Sequence, residues 1–332
     1  MSKARELSQR AGVDGALSNR NLIINGAMLV SQRGDYTSAV SSGVSGYYLD
    51  RWFLYRDGVT ANLQQTSTSP SGYGKSLKVT ATSTATGEIN IYQMLEGTTV
   101  DMIKGQAVTL SAWVRSNTSA ARLMVYSGSS VTGWVSTPDA AHTGNGGWER
   151  LTTTFTVPIG AIETFRPYIS IRDADRSSTS IVSGDYIEVT QVQLEVGDTA
   201  TPFEHRSYGQ ELALCQRYYQ KSYPQAVTPS DSYVGGVEGP LAAHSTSHSY
   251  GSVINYPVVM RTYPTITFYA NAGTSGTAGK WAYYNGSWNV VDNIGVANIT
   301  DSFFAPSLTK SSGYAAQNVY LFSGNYTLDA EL

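Results

Sequence analysis

The chain has 332 residues and a net charge of −3, and charged residues make up only 14 % of it, against about a quarter in ordinary soluble proteins. Its length is enough for two domains of usual size. Because binding to phosphate backbones needs a basic face, this charge argues against a nucleic-acid-binding protein. Abundant Gly, Ser and Thr, with 23 Tyr, predict a polar surface suited to neutral or weakly charged partners.

Residues 1–20 have few sizeable apolar side chains, and we expect them to fold only against a partner. The segment is therefore interpreted either as a disordered terminus or as an attachment segment. No apolar run approaches the roughly twenty residues that cross a bilayer, so we expect neither Sec export nor membrane insertion. The single cysteine, Cys215, excludes an intrachain disulfide and is expected to be buried.

Residues 21–205 show short alternating segments between Gly, Ser, Asp and Asn clusters, which is the pattern of a β-sandwich. An even number of strands near eight predicts two antiparallel sheets in jelly-roll order. The predicted strands are Trp52–Tyr55, Leu77–Ala81, Glu88–Leu95, Ala107–Arg115, Arg122–Tyr126, Leu151–Val157, Phe165–Arg172 and Tyr186–Leu194.

Residues 206–224 change from a period of two to a period of three and four, which predicts a short helical connector over Gln210–Gln220. Ser207 and Gln210 have the spacing of a capping box, in which each side chain satisfies a free backbone amide of the first turn. Leu214, Cys215, Tyr218 and Tyr219 are expected to group on this helix.

Residues 225–332 predict a second, smaller β-sandwich. Asn285-Gly286, between two aromatic segments, predicts a type I′ hairpin turn, which requires positive φ at both residues. The run from Pro224 to Pro240 is interpreted as a linker or as an edge strand. The predicted strands are Val253–Met260, Thr265–Tyr269, Trp281–Tyr284, Ser287–Val291 and Val319–Leu328.

Several short motifs, which occur in the same order as in a known protein family, are the basis of a resemblance. They are Asn21–Met28 (NLIINGAM), Gln32-Arg33-Gly34, Asp50-Arg51-Trp52, the stretch from QLEVG to ATPFEHRSYGQELALCQRYYQ, and the closing LDAEL. With these motifs the chain resembles the receptor-binding fibre or spike proteins of tailed bacteriophages and of related particles. Residues 21–205 also resemble jelly-roll carbohydrate-binding modules in length and in Trp148 followed by Leu151–Val157.

Alternation along four predicted strands places aromatic and polar side chains on the side opposite the core. An aromatic plane with polar groups around it is the arrangement that holds a sugar. The alternatives are that this face forms an oligomer contact or is simply solvated. The expected ligand-binding residues are Glu88, Tyr92, Trp113, Arg115, Tyr126, Arg166, Tyr168 and Arg172, with Asn90 at the rim.

Two further aromatic positions are weighed beside this face. Trp134 lies in a Gly- and Ser-rich loop, where it is a candidate ligand-binding residue or a cover for the sandwich edge. Tyr283, Tyr284 and Trp288 surround the predicted hairpin tip and are interpreted as a distal contact or as ordinary strand residues.

Catalytic and metal sites have no motif in the sequence, which lacks a G-x-S-x-G elbow and any cluster with zinc-ligand spacing. Glycoside hydrolysis requires two carboxylates facing each other in a cleft, and the acidic residues here have no such pattern. We therefore expect no enzyme activity and no cofactor, with polysaccharide depolymerase kept as an alternative.

The function expected from the residues and the resemblance is that of a non-enzymatic virion fibre or spike that binds host cell-surface polysaccharide. The resemblance implies a homotrimer, attachment to other virion proteins through residues 1–20, and synthesis in the bacterial cytoplasm before assembly into a tail fibre or capsid spike. A structural fibre or head decoration protein that contacts other particle proteins remains an alternative.

Overall fold

A computed structural model of the chain shows two compact units. The N-terminal unit comprises Met1–Val30, Tyr36–Glu211 and Leu332, and the C-terminal unit comprises Ser31–Asp35 and Leu212–Glu331. Of the predicted attachment segment, only Arg20 lies within the described residues. The structure describes residues 20–41, 43–70, 74–129, 133–136, 140–160, 162, 164–173, 177–225, 227–273, 278–311, 314–315 and 317–332, without the side chains of 129 and 133–136.

Two antiparallel sheets form the N-terminal unit, and this confirms the prediction of an all-β sandwich. The strands in chain order are β1 (Val40–Ser41), β2 (Gly46–Tyr47), β3 (Phe53–Asp57), β4 (Ala61–Thr66), β5 (Ser76–Ala81), β6 (Ala85–Tyr92), β7 (Ala107–Ser116), β8 (Ala121–Ser129), β9 (Gly133–Ser136), β10 (Ala140–Ala141), β11 (Trp148–Thr156), β12 (Thr164–Ile171), β13 (Thr179–Ile181) and β14 (Tyr186–Val196). The six-stranded sheet has the order β1-β4-β5-β14-β7-β11. The eight-stranded sheet has the order β10-β8-β12-β6-β3-β2, with β9 on β8 and β13 on β6.

The core of this unit lies between the two sheets, because alternate side chains of each strand point inward. Leu110 and Val189 come from the six-stranded sheet, and Ile91 and Ile169 come from the eight-stranded sheet; all four are fully buried. Each such side chain contributes roughly 1.5–3 kcal/mol by leaving water. The opposite face of the eight-stranded sheet is left for other contacts.

Two helices are present among the described residues: α1 (Gly97–Ile103) and α2 (Tyr208–Gln216). The predicted capping box at α2 is confirmed, since the Ser207 amide donates to Gln210 Oε1 at 3.0 Å and the Gln210 amide donates to Ser207 Oγ at 3.3 Å. Cys215 is buried, as predicted. The predicted end of α2 at residue 220 is wrong, because Tyr219 starts a strand that pairs with the last strand of the chain.

The C-terminal unit is a branched ten-stranded sheet. Its strands are β15 (Tyr219–Lys221), β16 (Val237–Ala243), β17 (His248–Gly251), β18 (Ile254–Asn255), β19 (Thr265–Tyr269), β20 (Ala282–Tyr284), β21 (Trp288–Val290), β22 (Asn293–Ile299), β23 (Phe303–Thr309) and β24 (Val319–Asp329). β24 pairs with β16 and β20 along its first part and with β15 and β19 along its second part, so one strand organises the whole unit.

Two local predictions in this unit need correction. The run from Pro224 to Pro240 is predicted as a linker or an edge strand, but its last residues belong to β16, which lies between β17 and β24 and is an interior strand despite Pro240. The predicted hairpin forms between β20 and β21, but its turn is not type I′. Tyr284 pairs with Trp288, so the loop has three residues, and only Gly286 among them has positive φ, at 102°.

The motifs that carry the family resemblance have structural roles in each unit. In the N-terminal unit, Asn25 is fully buried and its side chain bonds the backbone of Val30 and Asp50, while the Trp52 indole donates to the Asn25 carbonyl. In the C-terminal unit, Arg33 bonds two carboxylates of the closing LDAEL motif. Asn25, Trp52 and Arg33 of these motifs therefore stabilise the unit to which each belongs.

Candidate functional site

A row of rings crosses the outer face of the eight-stranded sheet. In register, Tyr47 lies opposite Phe53, Phe53 opposite Tyr92, and Tyr92 opposite Tyr168. Side chains in register across neighbouring strands point to the same face, and the alternate residues of these strands enter the core. Tyr126 on β8 extends the row by one strand. We call Tyr47, Phe53, Tyr92, Tyr168 and Tyr126 the aromatic row.

The rings of the aromatic row contact one another in sequence across the sheet. Their centroids are 5.0 Å apart for Tyr47 and Phe53, 5.1 Å for Phe53 and Tyr92, 4.8 Å for Tyr92 and Tyr168, and 6.2 Å for Tyr168 and Tyr126. Across five strands at the usual spacing the row extends over about 19 Å. The packing holds each ring in place before any ligand arrives.

An open groove of about 530 Å³ lies over the middle of this face. Tyr92 and Tyr168 are each 9 % exposed and Met124 is 2 % exposed, so they form the floor, whereas Tyr55 is 37 % exposed and stands at the edge. The described residues that line the groove are Tyr55, Glu88, Asn90, Tyr92, Met124, Tyr126, Arg166, Tyr168 and Arg172.

Charged groups of the groove are held by specific partners. Arg172 pairs with Glu88 at 3.1 Å, and the Arg166 guanidinium donates to the Tyr168 hydroxyl at 3.3 Å. The same guanidinium lies 5.0 Å from the centroid of the Tyr92 ring, within cation–π distance. Both arginines are thus positioned beside the rings.

Asn90 contributes to the groove a buried polar atom that has no hydrogen-bond partner among the described residues. Asn90 is 2 % exposed, and its Oδ1 accepts no hydrogen bond there. Ser170, opposite Asn90 in register, is fully buried with an equally unpaired Oγ. Leaving such an atom unsatisfied costs about 1–3 kcal/mol, so a ligand hydroxyl that bonds Asn90 would recover part of that cost.

The phenols of Tyr92 and Tyr168 are neutral at physiological pH. Burial raises the pKa of Tyr92 above its usual value, and the nearby Arg166 charge offsets this only in part. Burial likewise raises the pKa of Tyr168 against the opposing effect of Arg166. Both hydroxyls can therefore donate as well as accept a hydrogen bond.

Six of the predicted ligand-binding residues come together in this groove. They are Glu88, Tyr92, Tyr126, Arg166, Tyr168 and Arg172. The prediction that Trp113 and Arg115 share their face is wrong, because β7 belongs to the six-stranded sheet on the other side of the core. The side chain of Trp134 lies outside the described residues, although its strand β9 pairs with β8.

Sequence reasoning missed Tyr47, Phe53, Tyr55 and Met124. For Phe53 and Tyr55 the signal was present, since the buried Leu54 between them fixes their orientation by simple alternation. Tyr47 lies in a strand of two residues, too short to have a period. Alternation places Met124 on the same face as Tyr126, two residues later in β8, but an apolar side chain does not by itself predict a sugar contact.

Trp113 lies in a second, smaller cleft of about 380 Å³ on the six-stranded sheet. Phe203 and His205 meet edge to face there, with centroids 5.1 Å apart. The described lining residues are Trp113, Arg150, Gln191, Pro202, Phe203 and His205. That Trp113 binds a ligand remains a prediction, and the surface concerned is this second cleft.

Arg115 is committed to a buried carboxylate on that same sheet. It pairs with Glu188 at 2.8 Å, and Glu188 has no exposed side-chain surface. Burial by itself would raise the pKa of Glu188, but hydrogen bonds from Ser76, Thr68 and Thr66 together with Arg115 bring it below its usual value. Arg115 thus compensates a buried charge.

The described part of the chain contains no group of three or more His, Cys, Asp or Glu side chains placed to hold a metal ion. Within the same residues, no helix has the length and apolar character needed to cross a membrane.

Comparisons with known proteins gave no match to a family model and none to a curated protein. Among solved structures, the chain is similar to the enzymatically active domain of tailspike protein 4 of bacteriophage CBA120, with 16 % identity and a TM-score of 0.37, over 54 % of this chain and 22 % of that one. A family 4 carbohydrate-binding module is 14 % identical with a TM-score of 0.32, over 52 % of this chain and 98 % of the module.

The family 11 carbohydrate-binding module of a cellulosomal cellulase of Clostridium thermocellum is 12 % identical with a TM-score of 0.30, over 50 % of this chain and 99 % of the module. The matched part of the chain thus spans about a fifth of the tailspike and nearly the whole of each module. At these TM-scores the similarities assign no function to the chain.

Proposed function

We propose that the chain is a non-enzymatic virion fibre or spike protein that binds cell-surface polysaccharide during adsorption to a host. The observation that supports this most directly is the aromatic row beside Asn90. A sugar offers C–H groups on its faces and hydroxyls around its rim, and the groove offers the partly exposed rings of Tyr55 and Tyr126 beside an unpaired buried acceptor. The open groove leaves room for a polymer that continues beyond it.

The charges of the groove favour binding over bond cleavage. Hydrolysis of a glycosidic bond needs two carboxylates at a set separation across the scissile bond. Glu88 is the single carboxylate among the described lining residues, and Arg172 pairs with it at 3.1 Å. Release of reducing sugar from a bound polysaccharide would overturn this part of the proposal.

Tyr168→Ala tests the groove. Removing a central ring from a binding surface typically costs about 2 kcal/mol or more, so we expect an affinity loss of about 30-fold for a bound polysaccharide. The measurement is a binding titration of the full chain against polysaccharides extracted from candidate host cells. Thermal unfolding of the variant checks that the fold is retained.

The matched control is Tyr186→Ala, which removes a half-buried tyrosine from the six-stranded sheet. It should leave the affinity unchanged. Trp113→Ala reports separately on the second cleft. Equal binding by the wild type and by Tyr168→Ala would show that the aromatic row is not the site.

We propose further that three chains assemble, because joining several weak sites turns each later contact into an intramolecular one and raises the overall affinity. The expected mass by light scattering at micromolar concentration is about 107 kDa, three times 35.7 kDa. A monomer at that concentration would contradict the trimer and leave the groove proposal standing. Residues 1–20 are proposed to attach the assembly to other virion proteins.

A further inference from the structure

The groove contains a positively charged side chain, Arg166, that has no role in stacking on a neutral sugar. Three charged side chains are among its described lining residues: Glu88, Arg166 and Arg172. Glu88 and Arg172 neutralise each other at 3.1 Å, and no described carboxylate lies within ion-pair distance of Arg166. The groove is therefore locally positive on a chain whose net charge is −3.

Arg166 is also held in an orientation that leaves donors free. Its Nη1 donates to the Tyr168 hydroxyl at 3.3 Å, and its Cζ lies 5.0 Å from the Tyr92 centroid. A guanidinium has five N–H donors in a planar fork; the Nε–H of Arg166 is buried, and one bond from Nη1 to a phenol leaves the remaining Nη donors for a ligand. Because the rings already fix the side chain, less conformational entropy is lost when a ligand binds it.

We infer that the groove takes an acidic saccharide, with a carboxylate of a uronic acid bound by Arg166 while the sugar ring stacks on the aromatic row. A carboxylate presents two oxygens in a plane, which matches two N–H groups of a guanidinium. A sulfate ester would offer a related anionic group, and the experiment separates the two. This inference rests on the proposed function, since it names the ligand class of the same groove.

The experiment compares two pairs of polymers, and the members of each pair share a backbone but differ in their anionic group. The probes are polygalacturonate and its carboxyl-reduced form, together with dextran sulfate and dextran. Each is titrated against the full wild-type chain at about 50 mM and about 300 mM salt, because added salt screens charge and leaves stacking largely unchanged. We expect polygalacturonate to bind about tenfold more tightly than its reduced form, with a difference that shrinks at high salt.

Arg166→Gln should remove this preference. The variant is expected to bind polygalacturonate about tenfold more weakly than the wild type and to show no difference in affinity between polygalacturonate and its reduced form. The matched control is Arg56→Gln, which makes the same change on β3 next to the groove residue Tyr55 but on the opposite side of the strand. It should keep the preference, which excludes a general effect of net charge.

The remaining outcomes contradict the inference in different ways. Equal affinity for polygalacturonate and its reduced form, with both sensitive to Tyr168→Ala, would overturn the acidic ligand and keep saccharide binding at the groove. A preference confined to the dextran sulfate pair would overturn the carboxylate assignment. Absence of binding to all four polymers and to host polysaccharide would overturn both the inference and the proposed function.

Discussion

Gly324→Ala is expected to destabilise the C-terminal unit strongly. A Cβ at this position in β24 would lie 2.0 Å from Cδ1 of Trp281, far inside contact distance. The indole cannot move aside, because it is fully buried, stacks on Phe322 at 5.2 Å and donates to the Asn325 carbonyl at 2.9 Å. Adding a methyl group to a tightly packed site commonly costs 1–3 kcal/mol, and with the ring held on several sides we expect about 3 kcal/mol or more.

The measurement is hydrogen exchange followed peptide by peptide, since a chain of two units need not unfold in a single transition. Protection should fall across β16, β20 and β24 and persist in the N-terminal unit. Gly295→Ala is the control, because a Cβ there meets nothing within 4 Å. Unchanged protection around Trp281 in Gly324→Ala would show that the site can relax. Affinity for a short oligosaccharide, which occupies one groove, should be retained in both variants.

Asn25→Ala is expected to destabilise the N-terminal unit by about 4 kcal/mol, from lost hydrogen bonds and from backbone strain. The side-chain Nδ2 of Asn25 donates to the Val30 carbonyl at 2.9 Å and to the Asp50 carbonyl at 3.0 Å. Its Oδ1 accepts a hydrogen bond from the backbone N–H of Val30 at 2.9 Å. Alanine would leave all three backbone groups without that partner in a buried site. It would also hold φ at 58°, a left-handed conformation that asparagine tolerates better.

Two further substitutions separate these contributions. Asn25→Gly removes the strain but restores no hydrogen bond, so it should be about 1 kcal/mol more stable than the alanine variant. Asn25→Asp puts a carboxylate oxygen where the amide donates to two carbonyls, and we expect it to be at least as destabilising as alanine. Urea unfolding gives the order. Wild-type stability in all three variants would mean that this motif residue is not structural.

The sequence predicted much of the fold because its signals were local. Alternation located most strands of the N-terminal unit, and Ser207 and Gln210 marked the start of α2 through neighbouring residues alone. Predictions failed where distant chain segments decided the structure. Tyr219 continues the helical period, yet it leaves α2 because pairing with Asp329 in β24 satisfies its backbone.

The candidate site shows the same division. Alternation correctly placed Tyr92, Tyr126 and Tyr168 on the side away from the core, since a strand with one buried face has only two ways to orient its side chains. The same argument correctly placed Trp113 on the side of β7 away from the core. That side belongs to the outer face of the six-stranded sheet, and not to the face with the groove. A sandwich has two outward faces, and a period of two does not indicate which sheet a strand joins.

The sequence by itself determined that this chain is a β protein of low charge and high tyrosine content, because composition and short-range period are properties of the residues and their neighbours. Only the tertiary structure decided which rings meet. Strand order brought Tyr47, Phe53, Tyr92, Tyr168 and Tyr126 into one row from segments as far apart as residues 47 and 168. It also paired Glu88 with Arg172, while no carboxylate of the described residues pairs with Arg166. Register across a sheet depends on how the core packs, and no local pattern encodes it.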